Sequence, residues 1–162
     1  MEKEAFTKLM HQWLETFTKE KFSNENYIDV IIPGSNLNIL SHEELSKVPN
    51  VGLMEFKPDV LGILTHKATK KTELIFLNRE TKKFSLKELG EMLCYCRIAK
   101  PTLALMASLQ GLSPAVDRMI NHLKKRGVIS FNGNNIVIFR WDEKLGNIDK
   151  YSITPIESRD IF

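Results

Sequence analysis

The sequence predicts an α/β domain, a mixed β-sheet flanked by helices. Three observations carry this expectation. Apolar residues recur at helical spacing near the N-terminus and after Ser85, short β-branched runs lie between them, and Pro, Gly or Asn clusters mark each change. Strands that alternate with helices imply a sheet covered by helices. With 162 residues, 43% hydrophobic and 27% charged, the chain is long enough for one domain spanning 1–162 to bury its own core.

Residues 3–20 read as the first helix, because Phe6, Leu9, Met10, Trp13, Leu14 and Phe17 fall on one face. Ser23 to Asn26 breaks it, and Tyr27 to Ile32 reads as a strand stopped by Pro33-Gly34. Ser41-His42-Glu43-Glu44 has capping-box spacing and predicts a helical turn or two. Residues 51–56 lead into Pro58-Asp59 and the run Val60 to Leu64. A polar turn over Thr65 to Thr72 joins that run to Glu73 to Asn78, which together form a hairpin. Ser85-Leu86-Lys87-Glu88 is a second capping box, opening a helix that Pro101 ends. Leu103 to Leu109 is apolar nearly throughout, as a strand buried on both faces would be. Ser113-Pro114 starts a further helix, predicted to run to Gly127. Val128 to Phe131 and Ile136 to Trp141 flank Asn132-Gly133-Asn134-Asn135, a hairpin signal. The last twenty residues carry only scattered apolar anchors and no predicted element.

Composition excludes some classes. No apolar run nears the ~20 residues needed to span a bilayer. Met1-Glu2-Lys3-Glu4 mixes acid and base, unlike an export signal. Cys94 and Cys96 lie two apart in a helical pattern, pointing apart, so neither a bridge nor a zinc site is expected. These features predict a soluble, cytoplasmic protein without a membrane partner. The net charge of +3 permits contact with nucleic acid without requiring it.

Chemistry is expected at the end of the first hairpin. A turn within Lys67 to Lys71 brings Asp59 close to position 79, while Asn78, Glu80 and Lys82 alternate onto one face of the neighbouring strand. A one-residue shift in register adds Asp59 to that face. Such an oxygen cluster suits Mg²⁺, a hard cation held by one or two carboxylates, water and phosphate.

Residues 51–110 resemble the PD-(D/E)xK nuclease superfamily. They contain Pro58-Asp59, about twenty residues of hairpin, a motif at the strand end, then a helix and a buried strand. The resemblance implies a restriction-endonuclease-like fold and a DNA endonuclease that hydrolyses phosphodiester bonds with Mg²⁺ or Mn²⁺. Asp59 and Glu80 would hold the metal, Asn78 would lie beside them, and Lys82 would assist the attacking water. Two mappings of the second motif stay open: Glu80-Thr81-Lys82 read literally, or Asn78-Arg79-Glu80 judged by distance to Phe84-Ser85-Leu86. The second replaces the acid with Asn and the lysine with Glu. Glu91 and Tyr95 are similar to the QxxxY signature of the superfamily's RecB-like members, with Glu in place of Gln. Arg79, Lys82, Lys83 and Lys87 are the expected contacts to DNA phosphates. An enzyme of this kind that cuts both strands would often be a homodimer.

Two other readings belong beside this one. The first is a non-catalytic nucleic-acid-binding domain. It would be either a degenerate nuclease fold or a winged helix, with Arg118, Lys124, Lys125 and Arg126 on a recognition helix and Val128 to Arg140 as the wing. The second is a protein-interaction domain without a nucleic-acid role. Bland accounts compete at each residue: lysine-rich turns favour solubility, and basic groups at a helix C-terminus complement its dipole. Trp13 and Trp141 read as core rather than as base-stacking platforms. His11, His42, His66 and His122 are scattered and suggest no metal pair, and Glu4 and Glu15 read as surface charges.

Overall fold

The computed structural model describes residues 1–33, 43–48 and 58–162. Residues 51–56, read as the lead into Pro58-Asp59, and the pair Ser41-His42 lie outside those residues. Glu43 and Glu44 form a turn leading into the short 3₁₀ helix Leu45–Lys47.

Helix α1 (Lys3–Phe22) buries Phe6, Met10, Leu14 and Phe17, the stripe its periodicity predicted. Strands β1 (Asn26–Ile31), β2 (Val60–His66) and β3 (Thr72–Glu80) form an antiparallel meander. Helix α2 (Leu86–Ala99) begins at the predicted capping box: Ser85 and Glu88 satisfy each other's backbone N–H groups. It returns the chain to β4 (Leu103–Ser108), which pairs parallel with β3 and is buried at all six positions. That two-sided burial is what a continuous apolar run requires.

The C-terminal third departs from expectation. The helix predicted from Ser113 to Gly127 is the four-residue α3 (Pro114–Asp117) and a π-helical turn, Arg118–His122. Lys124 then takes a positive φ of 51°, which ends the helical run three residues before Gly127. Lys124, Lys125 and Arg126 therefore do not share a recognition helix. The predicted hairpin forms between β5 (Ser130–Phe131) and β6 (Asn134–Asp142), but β6 is no protruding wing. It pairs parallel with β4 inside the main sheet and buries Ile136 to Phe139. A further strand unseen in the sequence, β7 (Asn147–Thr154), pairs antiparallel with β6 across a bulge and leads to the 3₁₀ helix Ile156–Ile161.

These strands make one seven-stranded mixed sheet in the order β1-β2-β3-β4-β6-β5, with β7 also on β6. Two apolar layers cover it. One face carries Leu61, Ile63, Phe76, Ala104 and Met106 against Leu89, Met92 and Cys96 of α2. The other carries Val60, Leu64, Ile75, Leu77, Leu105 and Phe139 against α1. Gly62 permits the close approach of α1: a Cβ there would lie 3.1 Å from the Ile75 Cβ and 3.7 Å from Leu14. Burial in the α2 layer pushes the Cys96 thiol up to about 12, and Cys94 is exposed, so both are free thiols. Among the described residues, no helix is long and apolar enough to cross a membrane.

Candidate functional site

The register of β2 on β3 pairs Val60 with Leu77, so Asp59 falls opposite Asn78 rather than position 79. Hydrogen bonds fix the pairing: Asp59 N–H donates to Asn78 Oδ1 at 3.3 Å, and Arg79 N–H donates to Asp59 Oδ2 at 2.9 Å. On β3 the alternation turns Leu77 and Arg79 toward α1. The Asp59 carboxylate turns that way too, and its Oδ1 lies 3.3 Å from Arg79 Nη1.

Arg79 is the residue that sequence reasoning assigned to DNA and that the fold uses internally. Its side chain is only 10% exposed. Its Nε donates to Thr7 Oγ1 at 2.7 Å, and the Thr7 hydroxyl donates to the Lys3 carbonyl, so the guanidinium is tied to the first turns of α1. The alternation of Arg79 with Ile75 and Leu77 along β3 is the signal, and it becomes readable only once α1 is known to cover that face.

Glu80 ends β3 beside the same turns of α1. Its Oε1 accepts from Thr81 N–H at 2.8 Å, and Lys3 Nζ lies 3.8 Å from its Oε2. Thus Asp59, Asn78, Arg79 and Glu80 do meet at one end of the sheet, next to an open cavity of about 450 Å³ lined by Asp59, Arg79, Thr7, Lys3 and Lys8. Lys82 does not join them. It lies in the bend beyond β3, so strand alternation does not govern it, and its side chain is exposed like those of Lys83 and Lys87. Its carbonyl instead accepts from Ser108 Oγ at 2.7 Å, which anchors the bend to β4.

Burial raises the Asp59 carboxyl above its ordinary value of 3.8. That effect outweighs the Arg79 backbone N–H, the guanidinium and Lys3, all of which lower it, and the charge of Glu80 adds to the rise.

A divalent cation fits this set poorly. Each carboxylate already faces a cation of the chain itself, Arg79 on Asp59 and Lys3 on Glu80. The Asn78 oxygen accepts from the Asp59 N–H, which occupies one of its two lone pairs, and it carries no full charge for a cation. A metal at Asp59 would sit beside a fixed guanidinium, and like charges a few ångströms apart repel strongly in a partly buried site. Among the described residues, no group of three or more His, Cys, Asp or Glu side chains is placed to hold a metal ion.

No family model matches the chain, and neither a curated protein nor a solved structure matches it significantly.

Proposed function

We propose that the chain is a non-catalytic nucleic-acid-binding domain built on a degenerate PD-(D/E)xK nuclease fold. Two features support the fold assignment: the order α1-β1-β2-β3-α2-β4, with β4 parallel to β3, and the pairing of Asp59 with the Asn78-Arg79-Glu80 strand end. The observation that carries the loss of chemistry is the Arg79 guanidinium on the Asp59 carboxylate. It supplies, from within the chain, the positive charge that an Asp59-bound cation would bring. Asn78 and Glu80 stand where the superfamily's acid and lysine are expected, so neither a second metal carboxylate nor an ammonium for the nucleophile is present there. Binding is assigned to the exposed Lys82, Lys83 and Lys87, which follow β3 and lead into α2.

The test incubates linear, circular and branched DNA with the protein, with and without Mg²⁺ or Mn²⁺, beside Asp59→Ala. Binding should need no metal, weaken with salt, survive Asp59→Ala and leave the DNA uncut. Changing Lys82, Lys83 and Lys87 together to Ala should lower affinity on the order of tenfold or more and flatten the salt dependence. Metal-dependent cutting abolished by Asp59→Ala would restore the endonuclease reading. Absence of binding at low salt would leave a protein-interaction domain.

A further inference from the structure

We infer that the aromatic groove between α1 and β7 is a site for an unstacked nucleobase. The groove holds about 490 Å³ and is walled by Trp13, Phe17, Trp141 and Phe162. Trp13 stacks on Phe17 with centroids 5.1 Å apart and planes 15° apart, and it meets Trp141 edge-on at 6.5 Å. Phe17 and Trp141 belong to the buried α1-side core, as expected for Trp141, and the half-buried Trp13 packs against it to form a pre-organised wall.

A second observation points to a ligand. Trp141 is 3% exposed, and its Nε1 is buried with no acceptor among the described residues. An unpaired buried indole N–H is uncommon in a folded protein. A planar ring bearing a carbonyl would supply that acceptor once the Trp141 indole turns its Nε1, buried in the free chain, toward the groove.

The rim selects among planar ligands. Gln12 presents an exposed side-chain amide, and Asn147 has its Oδ1 engaged by the Ile148 N–H, which leaves its amide N–H groups for an incoming acceptor. Such amides read base edges well. Among the described residues, no carboxylate pairs with Lys150, which leaves its ammonium for a phosphate. Glu20, also at the rim, can accept from an exocyclic amino group.

Position agrees with this assignment. Glu80, Ser108 and Arg140 are lateral neighbours across β3, β4 and β6, so Trp141 lies at the sheet end that carries Asp59 and Glu80. Thr7, at the candidate site, and Trp13, in the groove, are six residues apart on α1, roughly 9 Å along its axis. A single strand held by Lys82 and Lys83, which follow β3 at this same sheet end, can continue toward the groove. The inference therefore builds on the nucleic-acid reading, yet it occupies different residues and can fail separately.

Three ligands separate the outcomes: free nucleosides, a single-stranded oligonucleotide, and an abasic strand of the same length, each followed by tryptophan fluorescence and by salt titration. Nucleosides should quench the fluorescence. The base-bearing strand should bind about 5- to 100-fold more tightly than the abasic one. Trp13→Leu should erase that difference. Of two exposed changes, Gln12→Ala should reduce it, whereas Lys150→Ala should weaken both strands alike and lower the salt dependence. Binding equal for abasic and base-bearing strands would overturn the groove assignment while sparing the lysine site. Nucleoside quenching without lysine-dependent duplex binding would do the reverse. A concentration-dependent dimer abolished by Trp13→Leu, with no quenching, would give the groove to a second copy of the chain.

Discussion

The Arg79 guanidinium and the Asp59 carboxylate pair at 3.3 Å where β3 meets the first turns of α1. Asp59 was legible from its position after Pro58 and from hairpin geometry to within one residue. Arg79 was not, because a charged residue between Asn78 and Glu80 reads as solvated unless the α1 layer is known to cover it. The pair also makes a signed prediction. The folded-state carboxyl of Asp59 lies above its ordinary 3.8, so its contribution to stability is present below that value and lost as pH rises through the folded pKa. Arg79→Met removes a cation that lowers this pKa, so the folded value climbs further and the variant loses more stability on the same rise. The variant should be about 2–3 kcal/mol less stable than the parent at pH 7, with the gap narrowing toward pH 4. Urea midpoints at the two pH values read this directly. A gap independent of pH would show that Arg79 acts through packing and its Thr7 contact alone.

Among the elements, α2 and β7 mark the two extremes of legibility. The start of α2 could be read because a capping box is a local device: Ser85 accepts from the Lys87 N–H while Glu88 accepts from the Ser85 N–H and hydroxyl. By contrast, β7 was hidden because its bulge breaks the alternation, leaving Ile148 and Ile153 five residues apart, out of step with a period of two. The helix after Ser113 was overestimated for the opposite reason. Its apolar spacing continues to Leu123, but the backbone turns left-handed at Lys124 and Leu123 is 56% exposed. The capping box carries its own prediction. The Ser85 hydroxyl and backbone N–H hold the Glu88 carboxyl below its ordinary 4.5, so the stability it adds is present above that value and lost as pH falls through the folded pKa. Ser85→Ala should lower stability by about 1 kcal/mol near neutrality, a fall of roughly 3 °C in Tm. The deficit should shrink below pH 4.5 as Glu88 is protonated in both proteins. Melting curves across that range would detect it.

At the scale of the whole molecule, the mixed sheet between helical layers was readable because it follows from alternation of element types, which survives errors in any one element. What periodicity could not supply was strand order, since the parallel pairing of β6 on β4 joins residues some thirty positions apart. That pairing puts β4 at the centre: β3 and β6 flank it, and both apolar layers cover it. Amides there can exchange with solvent only when the sheet opens globally, whereas β1 and β7 lie at the rims and can open locally. Hydrogen exchange should therefore be slowest at Leu103–Ser108, intermediate in β3 and the first half of β6, and fastest in β1 and β7. Tyr27 and Tyr151, 60% and 89% exposed, mark those rim strands as open to solvent, although Arg159 Nη2 donates to the Tyr151 carbonyl and holds that point of β7. The measurement also bears on assembly. Protection of β7 that matched β4 and fell on dilution would mean that a second copy covers the rim, the homodimer arrangement that strand addition at an open edge would produce. Protection of β7 independent of concentration would instead contradict its description as the outer strand of this sheet.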